Sequence, residues 1–297
     1  MLLLFAAALT VPLGLDLYMP VPEDNPLTAE KIELGRRLFF DRRLSRDGSI
    51  SCSSCHDPDR AFSDGRALAV GVFGRTGRRN SPALINLGYG RLFFWDGRVA
   101  ALEDQVLKPI EDPNEMDLPL AQACSRVGLD AATMARALAC FVRSTLSGDS
   151  PYDRFINGDR AALTAEQQLG LQIFRGKGNC TACHVGPNFT DENLHNTGVA
   201  WRNGKLADEG AGQGRFKTPT LREVGRSAPY MHDGSLATLE DVVEFYDAGG
   251  RANPSLDLEI RRLNLSTAEK RALVGFLGAL ANSSLPNNIA IANPPMQ

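Results

Sequence analysis

Two pentapeptides carry the most specific chemistry in the chain: Cys52-Ser53-Ser54-Cys55-His56 and Cys180-Thr181-Ala182-Cys183-His184. Cys-x-x-Cys-His is the attachment pattern of c-type haem. Two thiols one turn apart can add to the two vinyl groups of one porphyrin, and the adjacent imidazole then reaches the iron. With six Cys and four His in 297 residues, chance supplies roughly 10⁻³ such pentapeptides, and two are present. Zinc knuckles also pair their cysteines this way, but they would not each end in His. The pattern therefore predicts two covalently bound haem c groups. Cys52, Cys55, Cys180 and Cys183 are the thioether donors, and His56 and His184 are the axial ligands.

The elements that position these motifs repeat. Leu27-Thr28-Ala29-Glu30 opens a segment with Ile32, Leu38 and Phe39 apolar, and the first motif follows. Leu163-Thr164-Ala165-Glu166 opens another, with Leu169, Ile173 and Phe174 apolar, and the second motif follows. Thr164 with Gln167, and Ser266 with Glu269, have the spacing of a capping box. Helical periodicity recurs over 131–146 and 239–246, while strand-like alternation is scarce. The expected fold is all-α: two cytochrome c-type haem domains with long ordered loops. Its parts are a leader over 1–20, haem domains over 21–160 and 161–285, and a tail over 286–297, with the junction between Gly148 and Thr164.

Composition narrows the setting. Hydrophobic residues at 43% and charged residues at 23% are ordinary for a globular protein. A net charge of −3 gives no pull toward nucleic acid or anionic lipid. Met1–Leu15 is apolar and uncharged, about half the length that spans a bilayer. It suits the core of a secretory signal, although no basic residue precedes it, and a buried N-terminal segment is the alternative. No later run is long enough to form a stable membrane span. Covalent haem attachment takes place outside the cytoplasm, so a periplasmic location is expected. Cys124 and Cys140 fit either a disulfide or two buried thiols.

Further motifs follow in a fixed order: Arg79-Asn80-Ser81-Pro82, Phe94-Trp95-Asp96-Gly97-Arg98, Leu102-Glu103-Asp104-Gln105, Pro109, Glu115-Met116 and Ala228-Pro229-Tyr230-Met231-His232-Asp233-Gly234. With the two haem motifs, they resemble the bacterial di-haem cytochrome c peroxidase/MauG family over nearly the whole chain after residue 25. The likeness is closer to the MauG/MbnH-like branch. It implies that the His56 haem, in the 21–160 domain, is the peroxidatic one and must keep its opposite face open. In typical peroxidases of the family a loop His closes that face. The matching place here is Val72, which cannot ligate iron.

The same resemblance places Glu115, Gln105 and Pro109 on the open face. Glu115 would shuttle the proton during O–O cleavage, Gln105 would orient by hydrogen bonding, and Pro109 would shape the pocket. Trp95 would bridge the haems, although a core Trp in a tight turn is an equal alternative. Where family peroxidases carry an axial Met on the second haem, the match is Tyr246. Leu239, Val242, Val243 and Tyr246 share one helical face, so the phenol points inward. A buried Tyr with an ordinary hydrogen bond is the alternative. Asn80, with the backbone carbonyls of Ser227 and Pro229, matches a calcium site of oxygen donors. His195 and His232 resemble family residues around the haems. Gly178 replaces the surface Trp through which MauG oxidises its protein substrate.

The implied function is that of a MauG-like enzyme. Hydrogen peroxide would generate a high-valent (bis-ferryl) di-haem state that oxidises aromatic residues of a partner protein. The alternative is a cytochrome c peroxidase, drawing electrons from a small cytochrome or copper protein. A third possibility, from another class, is a plain di-haem electron carrier.

Overall fold

The computed structural model describes residues 9–282. Among them are nine α-helices: α1 (Ala29–Phe39), α2 (Leu102–Gln105), α3 (Lys108–Glu111), α4 (Leu120–Val127), α5 (Ala131–Ser144), α6 (Pro151–Ile156), α7 (Ala165–Arg175), α8 (Leu239–Asp247) and α9 (Thr267–Gly278). The starts follow their capping residues. Thr28 accepts from the Lys31 amide, and Thr164 with Gln167 and Ser266 with Glu269 form the expected boxes. Each box satisfies donors that the first turn would otherwise leave unpaired.

The internal repeat is a repeat of packing. In the first half α1 packs on α5, and in the second α7 packs on α9. At each crossing the backbones meet through a glycine. A Cβ on Gly35 would lie 2.0 Å from Ala137 O, and one on Gly170 would lie 2.0 Å from Ala272 O. An aromatic pair completes each crossing: Phe39 with Phe141 at 5.0 Å and Phe174 with Phe276 at 5.2 Å. Around these crossings sit two separate apolar clusters, one drawn from Leu38–Val142 and the other from Phe155–Leu280. Gly170→Ala should therefore force α7 off α9, at a cost of about 3 kcal/mol, the upper end for overpacking. Urea unfolding should show a lower midpoint with an unchanged slope.

The expectation of an all-α fold is met only in part. Helix, 3₁₀ turns included, accounts for 36% of the described residues, and two small antiparallel pairs are present among them. Strand β1 (Leu194–His195) pairs with β4 (Phe216–Lys217), and β2 (Trp201–Arg202) with β3 (Lys205–Leu206). Two-residue strands are too short to leave a periodic trace in sequence. The remaining described residues are loop, ordered by turn hydrogen bonds and by 3₁₀ turns, among them those at both Cys-x-x-Cys segments.

Of the segment read as a leader, residues 1–8 lie outside the described residues, whereas Leu13–Asp16 are fastened to the fold. Leu13 O accepts from the Asp149 amide at 2.8 Å, Gly14 O from Arg222 Nη2 at 2.8 Å, and Asp16 O from the Tyr89 hydroxyl at 2.7 Å. The whole segment read as a tail, 286–297, lies outside the described residues. Among those described, no helix is long and apolar enough to cross a membrane. Cys124 and Cys140 are free thiols, and the latter donates to Asn25 Oδ1 at 3.4 Å.

Candidate functional site

One cavity of about 610 Å³ runs between the halves. Cys55 and His56 line one part of it and Cys180, Cys183 and His184 another, with Trp95 also in the wall. Both pentapeptides fold alike. A 3₁₀ turn covers Cys52–Ser54 in the first and Cys180–Ala182 in the second. The His56 amide donates to Cys52 O at 3.0 Å, and the His184 amide to Cys180 O at 2.9 Å.

The imidazoles match as well. His56 Nδ1 bonds to Phe62 O at 2.9 Å, and His184 Nδ1 to Phe189 O at 2.8 Å. A bond to a carbonyl makes Nδ1 the protonated nitrogen and leaves Nε2 as the lone-pair donor. Burial holds both imidazoles below their ordinary pKa, so they are neutral, as ligation requires. Burial also pushes the Cys52 and Cys180 thiols up to about 12 and Cys55 to about 11. Such thiols are poor thiolates at neutral pH, which argues against a redox dithiol. The donor set in each half thus fits one haem c.

Beside the first motif, Gln105 ends α2, Pro109 lies in α3, and Glu115 follows in a turn whose amide donates to Asp112 O at 3.0 Å. All three side chains line the cavity. Burial, then the neighbouring Asp112 carboxylate, raises Glu115 to about 7 against the opposing pull of Arg98. A carboxyl with that pKa can both accept and return a proton near neutrality. Val72 is fully buried, and its amide donates to Glu115 O at 2.8 Å.

Beside the second motif, Leu239, Val242, Val243 and Tyr246 of α8 line the cavity together, as their spacing predicts. Burial pushes the Tyr246 phenol up to about 12, while a hydrogen bond with Thr197 pulls the other way. Trp95 sits where the halves meet. Its Nε1 donates to Asn80 O at 2.8 Å, and its own carbonyl accepts from the Lys217 amide at 2.7 Å. Its surroundings also form a tight turn, with the Phe93 amide on Val99 O at 2.8 Å.

Asn80, Ser227 and Pro229 line the same cavity. Asn80 Nδ2 donates to Arg66 O at 2.7 Å. Among the described residues, the one group of three His, Cys, Asp or Glu side chains near enough to share a metal is Cys183, Asp191 and His195. Cys183 belongs to the haem motif, which leaves that group no free thiolate.

Sequence reasoning named His195 and His232 without giving them a role, and it missed the charged partners that brace these walls. Arg79 bonds Asp208 through Nε at 2.8 Å and Asp96 through Nη1 at 2.7 Å. It joins the halves next to Trp95. His195 lies between Asp257 at 2.5 Å and Asp191 at 2.9 Å. In the haem-free chain, hydrogen bonding to the Cys183 thiol, then to the two carboxylates, raises it to about 10. His232 stacks on Phe216 at 3.7 Å, and burial lowers it to about 4, so it is neutral. Asp208 and Asp257 lie far from their partners in sequence, and no local pattern signals either pairing.

Residues 29–132 match the family model described as di-haem cytochrome c peroxidase. The methylamine utilization protein MauG of Methylorubrum extorquens is 40% identical over 286 residues, covering 88% of this chain and 81% of that protein. The cytochrome-c peroxidase IdrP1 of Denitromonas iodatirespirans is 36% identical over 324 residues, covering 91% of this chain and 86% of that one. The crystal structure of a MauG-like protein associated with microbial copper homeostasis superposes with a TM-score of 0.81. It is 35% identical and covers 91% of this chain and 95% of that one.

Proposed function

The chain belongs to the di-haem cytochrome c peroxidase family of haem oxidoreductases, and on that premise we propose that it is a MauG-like enzyme. It uses hydrogen peroxide to oxidise aromatic side chains of a partner protein at long range. One observation carries this reading: an inward-facing phenol, Tyr246, lines the wall around the second motif, while an aliphatic residue, Val72, abuts Glu115 beside the first. Held by the two Cys-x-x-Cys-His motifs, the haems supply the redox chemistry, namely peroxide reduction and storage of the two oxidising equivalents.

The chain's own residues do the rest. Glu115 accepts a proton from incoming peroxide and returns it to the departing oxygen. Gln105 orients the peroxide through its amide, and Pro109 narrows the pocket. Trp95, fixed by its bond to Asn80 O, offers an indole between the two sites. His184 and Tyr246 would hold the second haem, Tyr246 through its phenol oxygen. Bound to iron, the phenol would give up its proton, and the resulting anionic oxygen donor would favour the oxidised metal that this function needs. Asn80 with the carbonyls of Ser227 and Pro229 supplies oxygen donors suited to calcium between the halves. The two apolar clusters fit a peroxidatic domain followed by a second haem domain, with Tyr152 and Phe155 of α6 packing in the second, which puts the junction ahead of α6 rather than at 160. A periplasmic setting follows from haem c chemistry.

A second reading is a cytochrome c peroxidase, favoured by the likeness to proteins so named. Peroxide added to the diferric protein separates the two. The MauG-like reading expects a near-infrared band, from charge shared between the haems, and slow turnover with a reduced small cytochrome c. Fast turnover without that band supports the peroxidase. An unchanged spectrum leaves only an electron carrier.

A further inference from the structure

Residues 69–77 form a short hairpin that lies on the segment carrying Glu115. Its arms are tied by the Gly77 amide on Ala69 O at 2.7 Å and the Gly71 amide on Arg75 O at 2.8 Å. The base is anchored by the Ala69 amide on Arg79 O at 3.1 Å. Arg79 is itself fixed by Asp96 and Asp208. Phe73 turns the tip at a φ of 57°, its exposed ring lying under the Arg75 guanidinium at 5.1 Å.

Three kinds of contact join this hairpin to residues 112–117. The Val72 amide donates to Glu115 O at 2.8 Å. Arg75 Nη1 donates to Pro113 O at 2.6 Å and to Asp117 Oδ2 at 3.0 Å. Gly71 lies so close that a Cβ would come within 2.1 Å of Asn114 O. The Glu115 segment is thus gripped before, at and after the residue that faces the cavity. Asp117 also receives Arg46 from the far side at 2.8 Å.

We propose that Arg75 is a positioning residue for Glu115, and that the 69–77 hairpin is a fixed buttress for the peroxide site. The inference rests on the proton-carrying role given to Glu115 above. A glutamate side chain is long and flexible, so its carboxyl can be aimed only if its backbone is held. Displacements on the order of 1 Å at such a group are enough to slow a reaction severely. Arg75 does not face the cavity; it acts through the carbonyl of Pro113 and the carboxylate of Asp117. Its side chain is 43% exposed, so its removal leaves the core untouched.

The test uses the haem-loaded protein with four variants: Arg75→Ala, Arg75→Lys, Gly71→Ala and Glu115→Gln. Two quantities are read: hydrogen exchange at the Val72 amide, and the pH midpoint of the reaction with peroxide. The groups facing the Glu115 carboxyl are Asp112, Arg98 and the Cys52 and Cys55 sulfurs, which are uncharged thioethers in the haem-loaded protein, with Arg75, Asp117 and Arg46 behind its backbone. Arg75→Ala should speed Val72 exchange by about tenfold or more and slow the peroxide reaction by about tenfold. Water admitted to the carboxyl should also move the midpoint below about 7. Arg75→Lys, which keeps one donor for Pro113 O, should recover part of both losses. Gly71→Ala should reproduce the signature with Arg75 intact, because the added methyl wedges the two backbones apart.

Unchanged exchange and midpoint in Arg75→Ala, alongside a slow Glu115→Gln, overturn the buttress and leave the role of Glu115 standing. An unimpaired Glu115→Gln overturns that role instead, while Val72 exchange still decides whether Arg75 holds the segment.

Discussion

Tyr246→Phe is expected to remove long-range oxidation of the partner protein by two or more orders of magnitude, a barrier increase of about 2.7 kcal/mol or more. The substitution deletes one oxygen and keeps the ring that packs beside Phe245, with centroids 5.4 Å apart. α8 should therefore keep its place, and both haems should remain attached through their cysteines. What changes is the oxygen donor that Tyr246 would give the second haem. Without the phenol oxygen the second site can store no oxidising equivalent, so peroxide should no longer give the near-infrared band. The resting ferric spectrum should change as well, because one axial donor is lost. If that spectrum is unaltered, Tyr246 is an ordinary buried tyrosine bonded to Thr197. The MauG-like reading then loses its main support. The same variant tests the peroxidase alternative, since reduction of peroxide by a small cytochrome needs no phenol at this position.

Glu115→Gln is expected to slow the reaction with peroxide by about a hundredfold or more, within the range for loss of a general acid–base group. The amide keeps the size and hydrogen-bonding reach of the carboxyl but cannot take up the proton, so the resting spectra should barely move. The pH dependence gives the sharper check. Burial and Asp112 raise this carboxyl to about 7, and the ionised form is the one that accepts a proton. The wild-type rate should therefore climb as pH rises through about 7 and flatten above it, and the Gln variant should lose that step. Stability should respond in the opposite sense. A carboxyl whose folded pKa is raised favours the folded state at low pH, and that contribution disappears as pH rises through the folded value. Relative to wild type, the Gln variant should gain stability from the ordinary carboxylate range up to about 7, then hold it. A rate step that survives in the Gln variant would assign the titration to another group.

Part of this site was legible in the residues alone, because covalent haem attachment imposes a local pattern. Two cysteines and a histidine must lie within one turn to meet a single porphyrin, so the chemistry is written in five consecutive positions, twice. The helix starts at Thr28, Thr164 and Ser266 were legible for a similar reason, since a cap bonds within its own first turn. The inward face of α8 followed from helical spacing.

Other features have no local signature, and only the tertiary structure decided them. The glycine crossings of α1 with α5 and of α7 with α9 depend on which helices meet. The two-residue strands depend on partners many positions away. Arg79 finds Asp208, His195 finds Asp257, and Arg75 finds Pro113 and Asp117 only once the loops are folded against one another. The pKa of Glu115 belongs to the same class: its ordinary carboxylate value becomes about 7 only when the fold buries it beside Asp112. Sequence determined which groups can hold haem, because that requirement is met by near neighbours. The fold determined how the remaining groups are aimed and charged, because burial and long-range pairing exist only after the chain has closed.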